Sequence, residues 1–251
     1  MYKRVNAKKI DLSGFISRDD TFVVDEEQIR IFANGKKIGV FSTSPNLLKE
    51  LAIGYLIGSG MIKDSDDIED IEIMEDAIEV KIPDFDENKL EIIRMEECVQ
   101  GWVVRLLNQD IYVNSDLRVG TNTLYDAMKK LQKHSRIWKL THGTHAAGIF
   151  DKNGKEIAIA EDISRHAVID KVIGISTLKK VDFLNTFLLC SGRIPASMIL
   201  KVANANIPII GSRSAPINPS IDVAREVGIT LICFLRGRKM YVYTGDERIY
   251  Q

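Results

Sequence analysis

From Phe187 to Phe234 the chain reads FLLCSGRIPASMILKVANANIPIIGSRSAPINPSIDVAREVGITLICF. Three short apolar runs, Phe187–Cys190, Ile207–Ile210 and Thr230–Phe234, are too brief for helices and are bounded by turn residues, which predicts buried strands. Between them lie helical segments near Pro195–Asn204 and Pro219–Val227, the second capped by Asn218 and stopped by Gly228. This alternation is the pattern of an α/β sandwich. Working outward, a final strand is expected at Met240–Tyr243. On the N-terminal side come strands at Ala146–Phe150 and Ile157–Ala160, a helix over Arg165–Ile173, and a helix near Thr123–Lys133 with Leu124, Ala127, Met128 and Leu131 at helical spacing.

The first half of the chain has a different rhythm. Thr21–Val24 and Gln28–Phe32 read as strands, and Asn34-Gly35 predicts a tight hairpin turn into Lys37–Phe41, because both residues accept positive φ. A helix then follows, with Ser44 as cap, Pro45 at its first position and an apolar face of Leu47, Leu48, Leu51, Ala52, Tyr55 and Leu56, ending at Gly58. Ile68–Met74 and Ala77–Ile82 predict a second hairpin. The charged, poorly patterned segment Asp84–Glu97 reads as a loop leading to Cys98. The fold class is therefore α/β, α+β overall, with a smaller strand-rich domain over residues 1–115 and an α/β sandwich over 116–251.

Composition excludes several classes. With 251 residues, 45% of them hydrophobic, the chain has material for a real core, while a net charge of −1 gives no basic field for nucleic acid or an anionic membrane surface. No apolar run approaches the ~20 residues that span a bilayer, and no secretory leader pattern opens the chain. A cytoplasmic protein is expected. The three cysteines, Cys98, Cys190 and Cys233, are too few and too far apart for a disulfide framework or a paired-cysteine zinc site.

Polar residues concentrate at the ends of predicted strands, where open α/β sheets bind ligands. Ser191-Gly192-Arg193 follows one strand and Ser212-Arg213-Ser214-Ala215-Pro216 the next. Each combines a guanidinium, hydroxyls and a helix start, the groups that hold phosphate. Either alone reads as an ordinary cap; two in consecutive connections favour a phosphate-bearing ligand. Lys201 would add charge if it faces inward. Phe234-Leu235-Arg236-Gly237-Arg238-Lys239 is either a solvated hairpin turn or a loop contacting a diphosphate. Three of the four histidines fall in Thr141–Ala147 and Glu161–His166. His142, His145, Glu161, Asp162, His166 and Asp170 invite a metal site, but their spacing matches no ligand set. The favoured reading is a network in which Glu161 and Asp162 fix the tautomers of His145 and His166 and the position of Arg165. Cys190 and Cys233 lie in apolar strands and read as inert packing. Cys98 ends a charged loop, although Glu96 and Glu97 beside it oppose thiolate formation.

These motifs together resemble the FdhD/NarQ family. The matching features are Thr141-x-Gly143-Thr144-His145-Ala146-Ala147, then Glu161-Asp162-x-x-Arg165-His166 with Asp170-Lys171, Ser191-Gly192-Arg193, Ser212-x-Ser214-Ala215-Pro216 and Ala52-Ile53-Gly54-Tyr55-Leu56. The resemblance implies a sulfurtransferase that carries a persulfide from a cysteine desulfurase to a molybdenum or tungsten bis(molybdopterin guanine dinucleotide) cofactor of formate dehydrogenase. It also implies a cytidine-deaminase-like C-terminal fold without that enzyme's metal. Cys98 corresponds to the family's persulfide cysteine, while Gly101 stands where a second cysteine is usual. The implied cofactor-binding set is Phe234, Leu235, Arg236, Gly237, Arg238 and Lys239, joined by His145, Glu161, His166, Ser191, Arg193, Ser212, Arg213 and Ser214. Two rivals remain open, a cofactor-binding chaperone that moves no sulfur and a metal-dependent hydrolase. Monomer and homodimer are both compatible with the sequence.

Overall fold

The computed structural model describes residues 1–83, 85, 90–94, 102–106 and 111–251. The chain opens with an antiparallel arm, β1 (Tyr2–Ile10) and β2 (Ile16–Val24). Strands β3 (Glu27–Ala33) and β4 (Lys36–Thr43) meet at the expected turn, where Asn34 and Gly35 take φ of 48° and 78°. Helix α1 (Leu48–Gly58) separates them from β5 (Asp70–Ile73) and β6 (Ala77–Lys81), and the four strands form one sheet in the order β4-β3-β6-β5. β7 (Leu90–Arg94) pairs with β8 (Trp102–Leu106), so part of the segment read as a loop is a strand.

Beyond β9 (Val119–Gly120) come α2 (Thr121–His134), α3 (Arg136–Thr141), β10 (His145–Asp151), β11 (Glu156–Asp162) and α4 (Ala167–Leu178). The strand and helix series then runs β12 (Thr186–Cys190), α5 (Ala196–Asn204), β13 (Ile209–Ser212), α6 (Asn218–Glu226), β14 (Thr230–Arg236), β15 (Lys239–Thr244) and β16 (Ile249–Tyr250). Six of these strands form a sheet in the order β11-β10-β12-β13-β14-β15, with β12, β13 and β14 parallel. The α/β assignment therefore holds.

Side-chain alternation along the strands divides the interior into two cores. Phe187, Leu189, Ile209 and Ile232 pack under α2 with Leu124, Met128 and Leu131, while Leu188, Cys190, Ile210 and Leu231 pack toward α4, α5 and α1. The second cluster continues into Ile29, Ile31, Phe41, Ile78 and Val80 of the four-stranded sheet. Helix α1 lies between the two halves and is buried at every position from Leu51 to Gly58, because α4 and the small sheet cover opposite sides. The single apolar face expected for it is too narrow a reading. Backbones of α1 and α4 nearly touch: a Cβ on Gly54 would lie 1.8 Å from the Asp170 carbonyl oxygen, and one on Gly174 would lie 2.0 Å from that of Glu50.

At three of the element ends that differ from expectation the reason is local. α1 starts at Leu48, after Leu47 in the left-handed region, and Ser44 caps nothing. A buried carboxylate competes for Ser44 instead: its N–H donates to Asp162 at 3.1 Å, and its hydroxyl accepts from the Ile163 N–H. β13 begins at Ile209, one residue after Pro208, which has no N–H for the ladder. Ile217 rather than Asn218 holds the cap position of α6. Among the described residues no helix is long and apolar enough to cross a membrane.

Candidate functional site

Topology gathers the predicted polar residues at one edge. Parallel strands β12, β13 and β14 end there, β10 begins there because it runs antiparallel to β12, and β11 ends there opposite His145. His145, Asp162, Ser191, Ser212 and the turn after β14 thus share the carboxyl edge of the sheet, the usual ligand edge of such folds. The loops are stitched together by backbone bonds: Ser191 N–H to Ala146 O (2.9 Å), Arg213 N–H to Cys190 O (3.2 Å), Ile194 N–H to Ala215 O (3.2 Å) and Phe234 N–H to Ser214 O (2.9 Å). Ser212 is wholly buried and donates to the Gly192 carbonyl at 2.5 Å, so its hydroxyl braces two loops.

A cavity of about 520 Å³ opens at this edge, on the side of the sheet that α2 covers. Met128, Leu131, Trp138, His142, His145, Ser191 and Arg213 are among its lining residues. Trp138 and His142 meet edge to face at 4.8 Å on successive turns of α3, with His142 at φ 53° closing the helix. Arg213 presents a buried Nε that has no hydrogen-bond partner among the described residues. His145 lies 3.4 Å from the Ser191 hydroxyl, and burial together with the neighbouring Arg165 guanidinium pulls its pKa below the usual histidine value. It is therefore a neutral ring at physiological pH.

Of the predicted set, His145, Ser191 and Arg213 line the cavity, whereas Arg193, Ser212, Ser214 and Phe234–Lys239 lie along the same edge without lining it. Arg236, Gly237, Arg238 and Lys239 form an exposed two-residue hairpin turn, its central Gly237 and Arg238 both at positive φ. Phe234 also takes a positive φ, 53°, at a bulge in β14, a strained setting for a bulky residue. Arg236 lies over the Phe234 ring at 5.6 Å. Cys98 and Gly101 fall outside the described residues.

The carboxylates do not do what the sequence reading gave them to do. Glu161 accepts the N–H groups of Ile137 (2.9 Å) and Trp138 (2.8 Å) and the Thr144 hydroxyl (3.0 Å), so it anchors the start of α3 and with it Trp138. Asp162 forms a fully buried ion pair with Lys171 and accepts from the Thr43 hydroxyl, the Ser44 N–H and the Ser164 N–H. Neither acid hydrogen-bonds a histidine. Each is occupied by donors nearer at hand, backbone N–H groups for both, hydroxyls of Thr144 and Thr43, and the Lys171 ammonium for Asp162.

His166 is buried between α4 and α5. Its Nε2 lies 3.4 Å from the Ser197 hydroxyl, its Nδ1 has no hydrogen-bond partner among the described residues, and burial with Lys201, Arg165 and His145 nearby pushes its pKa down to about 3. One turn along, Asp170 pairs with Lys201 at 2.6 Å, and complete burial pushes the carboxyl up to about 6. His166 and Asp170 on α4 thus face Ser197 and Lys201 on α5, each pair four residues apart. Lys201 does face inward, but its charge is spent on Asp170. Cys190 and Cys233 are buried, and burial pushes the Cys190 thiol up to about 11, which fits inert packing. His142, His145, Glu161, Asp162, His166 and Asp170 make no cluster of three potential metal ligands among the described residues.

Sequence reasoning misses Trp138, Met128 and Leu131 as cavity walls. The one available signal is an indole placed four residues before His142 in an otherwise charged stretch.

A strand-rich N-terminal half, an α/β sheet and a polar carboxyl edge define an α/β protein with a cavity at the strand ends. The model of the FdhD/NarQ family matches residues 24–250. A sulfur carrier protein FdhD from Methanothermobacter thermautotrophicus is 37% identical over 250 residues, covering 99% of each chain. A second, from Saccharolobus solfataricus, is 33% identical over 260 residues, covering 98% of this chain and 99% of that one. A solved structure described as a formate dehydrogenase accessory protein, from Desulfotalea psychrophila, superposes with a TM-score of 0.80 at 26% identity over 99% of both chains. The chain belongs to the FdhD/NarQ family.

Proposed function

We propose that this chain is a cytoplasmic sulfurtransferase that carries sulfur from a cysteine desulfurase to a molybdenum- or tungsten-bis(molybdopterin guanine dinucleotide) cofactor destined for formate dehydrogenase. The carrying observation is the cavity lined by Ser191 and Arg213, which come from the ends of adjacent parallel strands and set a hydroxyl and a guanidinium at one edge. A guanidinium and a hydroxyl side by side suit an oxyanion, whose hydrogen bonds to charged donors are the stronger kind. The volume lies within the range of small-molecule sites. Arg193, Arg236, Arg238 and Lys239, exposed along the same edge, add positive field for a diphosphate.

Cys98 is the proposed carrier. Its thiolate attacks the outer sulfur of the desulfurase persulfide; the donor's S–S bond breaks, the desulfurase cysteine leaves as thiolate, and Cys98 keeps the persulfide without any oxidant. On delivery the Cys98 S–S bond breaks and the thiolate returns, while the receiving metal centre supplies the two electrons that make sulfide.

Two measurements test this. Incubation with a cysteine desulfurase and cysteine should add one sulfur mass to the protein and none to Cys98→Ala. Calorimetry with GDP, standing for half of the cofactor, should show binding that Arg213→Ala weakens by about ten- to a hundredfold, the loss of one charge-assisted hydrogen bond. A protein that binds GDP yet gains no sulfur would be the chaperone of the alternative reading. One that binds no GDP overturns the cofactor assignment.

A further inference from the structure

Helix α3 is tethered more firmly than its place on the surface requires. None of its residues is buried, yet the N–H groups of Ile137 and Trp138 both donate to Glu161, a side chain only 9% exposed that also accepts the Thr144 hydroxyl. Drawing a carboxylate out of water is costly unless it is well hydrogen-bonded, and two of these three bonds serve to fix one exposed turn. What that turn carries is Trp138, 41% exposed and standing on the wall of the cavity. A packing role would bury such a ring. An indole held at a cavity mouth on fixed backbone, with only two side-chain torsions to order, is a rigid contact surface.

His142 takes up only part of that surface. The two ring planes cross at 80°, and an edge-to-face contact covers at most one face of the indole. The cavity walls also divide by origin. Met128, Leu131 and Trp138 come from helices α2 and α3, whereas His145, Ser191 and Arg213 come from the ends of β10, β12 and β13. One wall is apolar and aromatic; the other offers a hydroxyl, a guanidinium and a neutral imidazole. A ligand that is flat and aromatic at one end and anionic at the other matches this division.

We propose that Trp138 is the stacking wall for a purine ring whose phosphates lie toward Ser191 and Arg213, and that Glu161 is the positioning residue that fixes the indole for it. The proposal rests on the guanine-nucleotide reading of this cavity and adds the residue that meets the base. Stacking reads the face of a ring rather than its edge, so Trp138 contributes affinity for the base and none for the phosphates. Losing Trp138 therefore separates the two ends of the ligand, and losing Arg213 separates them in the opposite sense.

The test is calorimetry of the full chain with GDP and with inorganic pyrophosphate, which has no base. Trp138→Ala should weaken GDP about five- to a hundredfold and leave pyrophosphate unchanged, while Trp138→Phe restores most of the GDP affinity. Arg213→Ala should weaken both ligands. The chain has two tryptophans, so in a Trp102→Phe background Trp138 is the only indole, and GDP but not pyrophosphate should quench its fluorescence. Glu161→Gln keeps the shape but loses one acceptor oxygen. It should weaken GDP roughly threefold or more, and have no further effect once Trp138 is alanine, melting curves confirming that each variant is folded. GDP binding indifferent to Trp138→Ala overturns the stacking wall while the cofactor reading stands. So does an equal loss for GDP and pyrophosphate, the result of a collapsed cavity. A Glu161→Gln loss that persists in Trp138→Ala overturns the positioning role, and a protein that binds no GDP removes the cofactor reading and this proposal together.

Discussion

His166 and Asp170 sit one turn apart on α4, and burial drives their titrations in opposite directions. His166, pushed down to about 3 against a usual 6.5, binds its proton less tightly folded than unfolded, so its contribution is present above pH 6.5 and is lost as pH falls toward 3. Asp170, pushed up to about 6 against 3.8, binds its proton more tightly when folded, so stability falls as pH rises from about 4 to 6. The histidine displacement is the larger, and acid should weaken the protein overall. His166→Gln removes that titration and retains a side chain able to bond Ser197. Between pH 7 and 4.5 the wild type should therefore lose about 2–3 kcal/mol more than His166→Gln, at 1.36 kcal/mol for each unit of pH below 6.5. Urea unfolding at the two pH values measures it, and equal losses in both proteins would count against a buried neutral His166.

At the scale of elements, the meeting of α1 with α4 is the tightest in the molecule. Gly54 and Gly174 each face a backbone oxygen of the other helix at a distance no Cβ tolerates. Alanine favours a helix over glycine by about 1 kcal/mol, but overpacking costs about 1–3 kcal/mol or more, and here the obstacle is backbone, which yields least. Gly54→Ala should lower Tm by about 5 °C or more, at 2–4 °C per kcal/mol for a chain of this size. An unchanged or raised Tm would show that the helices can part freely. Nothing in the sequence marks this pair of glycines as facing one another, because the contact is made by docking. The same limit explains what else is hidden. The hairpin at Asn34-Gly35, the period of α2 and the buried strands β12 and β14 announce themselves through local pattern. β1 does not, since YKRVNAKKI has no apolar period, and six-residue α3 has no buried residue to reveal it. Strand ends foretell that His145, Ser191 and Arg213 gather at one edge. Which acid serves which base is not foretold, for Asp170 finds Lys201 only once α5 lies against α4, and Asp162 at the end of β11 finds Lys171 only once α4 folds back on that strand.

For the molecule as a whole, the question is how far the two halves depend on each other. Asp162 and Lys171, both wholly buried, hold Thr43, Ser44 and Asn46 of the other half: the Lys171 ammonium donates to the Ser44 carbonyl at 3.0 Å and to Asn46 Oδ1 at 3.1 Å, and Asp162 accepts from Thr43 and Ser44. Parting the halves would expose an ion pair whose polar shell comes from both sides, and would also uncover α1, which is apolar all round. Neither half then has a surface suited to water. Thermal unfolding should accordingly be one transition, with calorimetric and van't Hoff enthalpies agreeing. Two units that divide near residue 115 and fold independently would instead melt in two steps, and the isolated 116–251 segment would retain a melting transition of its own. Calorimetry of the full chain beside that segment separates the cases. A single full-length transition, with no transition in the segment, is the result that shared burial around α1 and α4 requires.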